Sequence, residues 1–317
     1  MHLNRRRFLT TSSLALAAAT VNLSKLFAQA ASAAQAGQAA PPVPPTSFNP
    51  LRGTVGYFTG QGGTIGYHIS KDGVVVIDAQ MPATAKICLD GIKERDGGRM
   101  IDVLVNTHHH GDHTGGNPVF RASAKKILAH ANVPKLQREA AARQAAARPG
   151  APAPEIVVAD ATFVNTWEEE LGGDRMALKY YGPAHTGGDA VVTFQRADVV
   201  HMGDLVFNRM HPFIDRPAGA SIANWIKVLE NTVADHRNDT TYIFGHGSQK
   251  FGVIGTRADL LYMRDYLTAL LEFVRGEIGA GKPKDVIVKI TDPLKGFPDH
   301  GPLIERVLTA AHEELAG

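Results

Sequence analysis

The stretch Val103-Leu104-Val105-Asn106-Thr107-His108-His109-His110-Gly111-Asp112-His113-Thr114-Gly115-Gly116-Asn117 decides how the rest of the chain is read. It opens as an apolar strand run that empties directly into histidine and aspartate. Side chains alternate along an extended segment, so His108 and His110 point to one side while His109 points away. That pair can ligate one metal ion. Asp112 and His113, just past the turn at Gly111, are free to face a second.

A metal site needs more ligands than this loop carries, and isolated His and Asp residues recur where other strands end. His185 lies in Tyr181-Gly182-Pro183-Ala184-His185-Thr186-Gly187-Gly188-Asp189, Asp204 in Met202-Gly203-Asp204-Leu205, and His246 in Phe244-Gly245-His246-Gly247. Taken singly, a strand-end Asp is a cap and a lone His is packed or solvated. Their shared placement after strands, beside glycines that allow close backbone approach, favours a joint metal reading.

Short strands are expected at Gly53 to Thr59, Thr64 to Ile69, Val74 to Asp78, Ile101 to Asn106 and Lys126 to Ala129, with a helix opened by Pro82 and running from Ala83 to Arg95. The Val74 run is almost wholly β-branched, which predicts burial on both faces. The Ala/Arg/Gln segment from Val133 to Ala147 reads as a solvated cover helix. A second series of strands follows at Thr162 to Trp167, Met176 to Tyr181, Ala190 to Gln195, Val199 to His201 and Thr241 to Phe244. Helices are expected at Ile222 to Ala234, Thr256 to Ile278 and Leu303 to Leu315. Two strand-rich halves, each with helices, predict two packed sheets covered by helices on both outer faces.

The motif order from Leu51 to Gln249 resembles the metallo-β-lactamase superfamily of di-metal hydrolases. That resemblance implies an α/β fold of four layers, an αββα sandwich with the metal site at one edge of the two sheets. It also implies that His108, His110 and His185 hold a first metal, that Asp112, His113 and His246 hold a second, and that Asp204 bridges them. Asp78, ending the Val74 strand, matches the family's first motif as a residue that orients a ligand. The implied cofactors are two zinc ions, with iron or manganese as substitutes. Paired metals about 3.5 to 4 Å apart bring a shared water to a pKa near 7 and polarise a carbonyl, so the nucleophile is hydroxide rather than a side chain. Asp112 is the expected catalytic side chain, orienting that hydroxide or passing a proton to the leaving group.

Within the superfamily, β-lactamases place Cys or a small residue where this chain has Asp204. Bridging aspartate resembles the thioesterase, lactonase and esterase branches instead. No cation stands in Leu205-Val206-Phe207-Asn208 to grip a drug carboxylate. The expected substrate is a small molecule with a hydrolysable carbonyl, whether amide, lactone, ester or thioester. The substrate-facing candidates are the turn from Tyr57 to Gly63 and the loop from Asn208 to Ser221, which carries Met210, His211, Phe213 and Arg216. The alternative on the same fold is an oxidoreductase with a single iron, of the persulfide dioxygenase type.

The N-terminus carries Arg5-Arg6-Arg7-Phe8-Leu9, an apolar Ala/Ser/Thr-rich stretch and Ala28-Gln29-Ala30, and resembles a twin-arginine (Tat) export signal. The expected organisation is a signal peptide at 1–30, an Ala/Pro-rich linker at 31–50 and one hydrolase domain at 51–317. The expected partner is the Tat machinery, and the expected location is periplasmic or secreted, with no stable membrane anchor after cleavage. The 317 residues are 44% hydrophobic and 20% charged, a globular balance. A single cysteine, Cys88, excludes an internal disulfide, and its expected role is packing. The net charge of +2 does not advertise a nucleic-acid surface. Residues 1 to 30 hold Arg5, Arg6, Arg7 and Lys25 but no acid, which leaves 29 basic against 31 acidic residues in the rest of the chain.

Overall fold

The computed structural model describes residues 45–150 and 155–316. The Tat-like segment and the linker up to residue 44 lie outside the described residues. The first sheet has seven strands lying side by side in chain order: β1 (Ser47–Arg52), β2 (Val55–Thr59), β3 (Ile65–Ile69), β4 (Val74–Ile77), β5 (Val103–Asn106), β6 (Ile127–His130) and β7 (Ala161–Phe163). Strands β1 to β4 are antiparallel neighbours, whereas β4 to β7 run parallel. Parallel pairing requires crossovers, supplied by α1 (Pro82–Asp96), the short α2 (Gly111–Thr114) and α3 (Asn117–Arg121), and α4 (Val133–Ala147).

The second sheet, in the order β15-β13-β11-β10-β9-β8, comprises β8 (Thr166–Leu171), β9 (Asp174–Lys179), β10 (Val191–Phe194), β11 (Val199–His201), β13 (Thr241–Ile243) and β15 (Ile254–Gly255). A small parallel pair joins β12 (Phe207–Asn208) to β14 (His246–Gly247). The outer helices of this half are α5 (Ile222–Asp235), α6 (Arg257–Gly279), the short α7 (Lys284–Ile287) and α8 (Glu305–Ala316). A full capping box at Thr256 and Asp259 starts α6.

Residue alternation divides the core into three slabs. Val75 and Ile77 face inward with Val103 and Val105, meeting Leu178, Val192, Phe194 and Val199 of the second sheet. Val74 and Val76 face the other way, against Ala85, Cys88, Leu89 and Ile92 of α1. Beyond the second sheet, Trp225, Val228 and Leu229 of α5 and Leu260, Met263 and Leu267 of α6 pack on Tyr242 and Phe244. The result is the expected helix-sheet-sheet-helix sandwich. Cys88 is fully buried, and burial pushes its thiol pKa up, as a packing role requires. In α4 only Val133 and Gln137 are buried, so it is a solvated cover.

Two stretches of the expected strand and linker pattern differ in the structure. The linker expected at 31–50 ends earlier, because Ser47–Arg52 forms β1; Phe48 packs on Phe58 with ring centroids 4.8 Å apart, under the Arg95 guanidinium. Pro50 is tolerated there because β1 is an edge strand, and the register shifts beside it. The single strand expected from Thr162 to Trp167 is two: Phe163 is buried in the first sheet, Val164 is 63% exposed, and Thr166 opens the edge of the second sheet. The chain changes sheets at that point. Strands β8 and β9 then form a hairpin around Gly172 and Gly173, both at positive φ (63° and 83°), as a two-residue turn of matching twist demands.

Candidate metal centre

The site forms where strands of both sheets end. After β4, Asp78 takes φ 65°, a left-handed conformation rare for Asp, and its buried carboxylate turns toward the histidine loop. It accepts hydrogen bonds from the Thr107 amide (2.8 Å), from Thr107 Oγ1 (2.8 Å) and from His113 Nδ1 (2.7 Å). After β5 the chain bends through Thr107, His108 and His109, is extended at His110 and turns helical at Gly111. His108 and His110 therefore meet on one side, Nε2 to Nδ1 at 3.0 Å, and α2 swings Asp112 and His113 the other way.

Every side chain named as a ligand from sequence converges here, in two groups. His185 Nε2 lies 2.9 Å from His110 Nδ1, and Asp204 Oδ2 lies 3.5 Å from His185 Nε2 and 3.8 Å from His108 Nε2. In the second group, His246 Nε2 is 3.1 Å from Asp112 Oδ2 and 3.4 Å from His113 Nε2. Asp204 reaches that group as well, with Oδ1 3.0 Å from His113 Nε2 and Oδ2 3.4 Å from His246 Nε2. One carboxylate thus touches both groups.

The outer ring nitrogens show what the inner ones are doing. His113 Nδ1 donates to Asp78, His185 Nδ1 to the Phe213 carbonyl (2.7 Å) and His110 Nε2 to Asp215 Oδ2 (2.9 Å). Thr107 Oγ1, already donating to Asp78, can only accept from His108 Nδ1 at 3.1 Å. In the first group each ring, with its proton on the outer nitrogen, turns a lone pair inward, where it faces the other lone pairs and the Asp204 carboxylate. Asp204 Oδ1 is buried with no hydrogen-bond donor. Acceptors crowded against acceptors call for a cation between them. The donor-to-donor distances bracket the roughly 3.3 Å edge of a tetrahedron built on zinc bonds of about 2.0 to 2.1 Å. The nitrogen and carboxylate set fits two such ions.

Burial, with neighbouring His113 and the other rings, pushes His108 well below its usual pKa; burial and His110 push His185 down to about 3. Burial opposes charge on His113 and His246 too, but the surrounding carboxylates win. Asp204, Asp78 and Asp112 hold His113 well above the ordinary value, and Asp204 with Asp112 holds His246 up at about 9. Burial raises Asp112, but His113 and His246 bring it down to about 2, so it stands as a carboxylate.

Two glycines are required by space. A β-carbon on Gly63 would land on the His113 ring, and one on Gly245 would land on Asp204 Oδ1. Of the substrate-facing candidates, Phe213 is 43% exposed at the rim, its ring centroid 5.3 Å from that of His110. His211 is buried and bonded to Tyr266 Oη (2.7 Å) and the Pro302 carbonyl (2.8 Å), so it is structural. Arg216 pairs with Glu314, and Trp225 is a core residue that donates to the Leu205 carbonyl. Sequence reasoning passed over Asp215 and Gln80. Asp215 sits between His110 and His109 (Nε2 at 3.4 Å), and its only signal in the sequence is an acid before Arg216-Pro217. Gln80, at φ 53°, holds the Gly63 carbonyl at 2.7 Å and carries no signal at all. His109 belongs to neither donor group, as alternation predicted.

The chain belongs to the metallo-beta-lactamase superfamily, whose profile matches residues 60–271. Among similar proteins is metallo-beta-lactamase IND-1 of Chryseobacterium indologenes, 24% identical over 188 residues, which are 59% of this chain and 72% of that one. The fold is shared with the metallo-beta-lactamase from Pontibacter korlensis (TM-score 0.57, 18% identity, 71% of this chain and 99% of that one). It is also shared with the stereoselective inverting sec-alkylsulfatase Pisa1 from Pseudomonas sp. (TM-score 0.65, 16% identity, 84% of this chain and 50% of that one).

Proposed function

We propose that this protein is a zinc-dependent hydrolase, exported by the twin-arginine route, that cleaves a small carbonyl substrate such as an ester, lactone, thioester or amide. The observation that carries the reading is Asp204, a buried carboxylate in reach of both donor groups. Two bound divalent cations supply a water that is nucleophilic at neutral pH and an electrophile for the acyl oxygen. The chain does the rest. His108, His110 and His185 would hold one ion, Asp112, His113 and His246 the other, and Asp204 both. Asp112 is the group placed to orient a water, since it is an ionised carboxylate and its side chain is 37% exposed at the mouth. Phe213 offers an apolar surface beside the first group, suited to a hydrocarbon portion of the substrate. Aspartate rather than cysteine at position 204 favours acyl substrates other than β-lactams.

The test is metal analysis of the purified protein, followed by a side-by-side hydrolysis panel of β-lactams, lactones, thioesters and phosphoesters. Two zinc equivalents with turnover of lactones or thioesters are expected. A single iron with oxygen consumption, or silence of the zinc-loaded protein on the whole panel, overturns the reading. Export is tested by replacing Arg5 and Arg6 with lysine, which should strand the unprocessed protein in the cytoplasm. Among the described residues no helix is long and apolar enough to cross a membrane.

A further inference from the structure

His201 ends β11 three positions before Asp204, and its ring is completely buried. Both ring nitrogens are engaged, on opposite sides. Nε2 lies 3.0 Å from the Thr64 carbonyl, across the sandwich at the start of β3, and Nδ1 accepts from the Gly203 amide at 3.1 Å. Only the tautomer with its proton on Nε2 makes both bonds. Thr64 in turn donates its amide to the Gly245 carbonyl (2.9 Å), and Gly245 donates its amide to the Gly203 carbonyl (2.7 Å). These bonds close a ring: His201 to Thr64, Thr64 to Gly245, Gly245 to Gly203, and Gly203 back to His201. Every member donates to the next in the same direction, so the four bonds interlock in one closed circuit. Thr64 Oγ1 adds a bond to the Gly245 carbonyl at 3.1 Å.

The members of the ring are chain neighbours of the shared Asp204 and of the second donor group. Gly203 precedes Asp204, Gly245 precedes His246, and Thr64 follows Gly63, against which the His113 ring is packed. The first donor group takes its supports elsewhere, from Thr107, Asp215 and the Phe213 carbonyl. The ring also joins the two sheets, with Thr64 leading into the first and His201 and Gly245 at strand ends of the second. No room exists for slack: a β-carbon on Gly203 would press on Thr107, and one on Gly66 would press on the His201 ring.

We propose that His201 is a positioning residue that clasps the two sheets together and thereby sets the spacing of Asp204, His113 and His246, so that it governs occupancy of the second metal position more than the first, which shares only Asp204 with it. This inference rests on the di-metal reading given above. Outer partners of metal ligands typically govern affinity by about 10- to 100-fold, and that is the effect expected here.

The experiment titrates zinc into metal-free full-length protein against a chromophoric chelator, with thermal unfolding of the same samples. His201→Gln keeps a donor for Thr64 but leaves the Gly203 amide unpaired; His201→Asn keeps an acceptor for Gly203 but abandons Thr64. Both variants are expected to bind the second equivalent about 10- to 100-fold more weakly and the first, which shares only Asp204 with it, at most a few-fold more weakly. Thr64→Val, which removes only the reinforcing hydroxyl, should fold even if the His201 variants do not, and should weaken the second equivalent several-fold. Unchanged affinity for the second equivalent, or equal weakening of both in proportion to a lower Tm, overturns the proposal. A wild type that takes up fewer than two equivalents overturns the di-metal reading, and the clasp's role with it; a wild type that takes up two while the variants match it overturns the clasp alone.

Discussion

His108, His110 and His185 are three imidazoles, each steadied by one partner on its own or a neighbouring loop, with His108 and His185 neutral because burial and the adjacent rings disfavour charge. Asp112, His113 and His246 stand among carboxylates that keep His113 and His246 up in pKa; His113 is fully buried, while Asp112 and His246 are more open, with side-chain exposures of 37% and 23%. Both groups join residues from both sheets, but the first is held by hydrogen bonds to the outer nitrogens of its rings and the second stands among charges. Two positions sharing one carboxylate can therefore differ in how easily they are emptied. The first group turns lone pairs toward one another, whereas the second already balances its carboxylates with protonated rings.

Asp204→Ala is the substitution that should erase this difference, because it withdraws an oxygen from both groups. Loss of hydrolysis beyond about 100-fold is expected, with neither zinc equivalent retained through desalting, since a shared ligand should exceed the 10- to 100-fold typical of outer partners. Retention of the first equivalent would mean that Asp204 serves one group only.

Two milder changes should separate the groups. Asp78→Asn weakens the hold on His113 Nδ1, so the second equivalent should bind about 10- to 100-fold more weakly, with a smaller loss at the first because Asp78 also holds Thr107, the partner of His108. Asp215→Asn weakens the hold on His110 Nε2 and should do the reverse, at about the lower end of that range because Asp215 also serves a loop turn by accepting from the Ala218 amide. Competition with a chelator reads both. If each variant weakened both equivalents alike, the groups would be one coupled unit.

The smallest effect lies away from both groups and provides a reference for them. His300 is stacked between Tyr266 (ring centroids 4.0 Å apart) and Tyr262 (5.7 Å), and burial, then His211 and Arg209, push it down to about 3. A folded-state pKa below the usual value of about 6.5 means that the fold favours the neutral ring. Its contribution to stability is full above pH 6.5 and is lost as the pH falls toward 3. His300→Phe keeps the stack and removes the titration, so its Tm should fall less than that of the wild type between pH 6.5 and 4. Zinc stoichiometry at pH 7 should not change; a change would mean that the C-terminal helices reach the metal groups.

The strand endings, the glycines beside them and the spacing of His108, His110, Asp112 and His113 were legible in the sequence because they are local. Alternation along an extended segment assigns His108 and His110 to one side whatever surrounds them, and the Val74 run declares a strand buried on both faces. Placement after strands and beside glycines brought in His185, Asp204 and His246, and the resemblance to a known superfamily apportioned them between two metal positions. What the sequence could not carry is anything that depends on one sheet meeting the other. Ser47–Arg52 is a strand only because β2 offers it an edge, and Thr162 to Trp167 divides because Phe163 and Trp167 find different sheets to join. Asp215, Gln80 and His201 take their roles from partners 105, 17 and 137 positions away. A hydrogen bond at such separation is created by tertiary packing, which alone brings its two ends within 3 Å or so, and so the supports of the candidate site belonged to the fold while its donor atoms were already written in the chain.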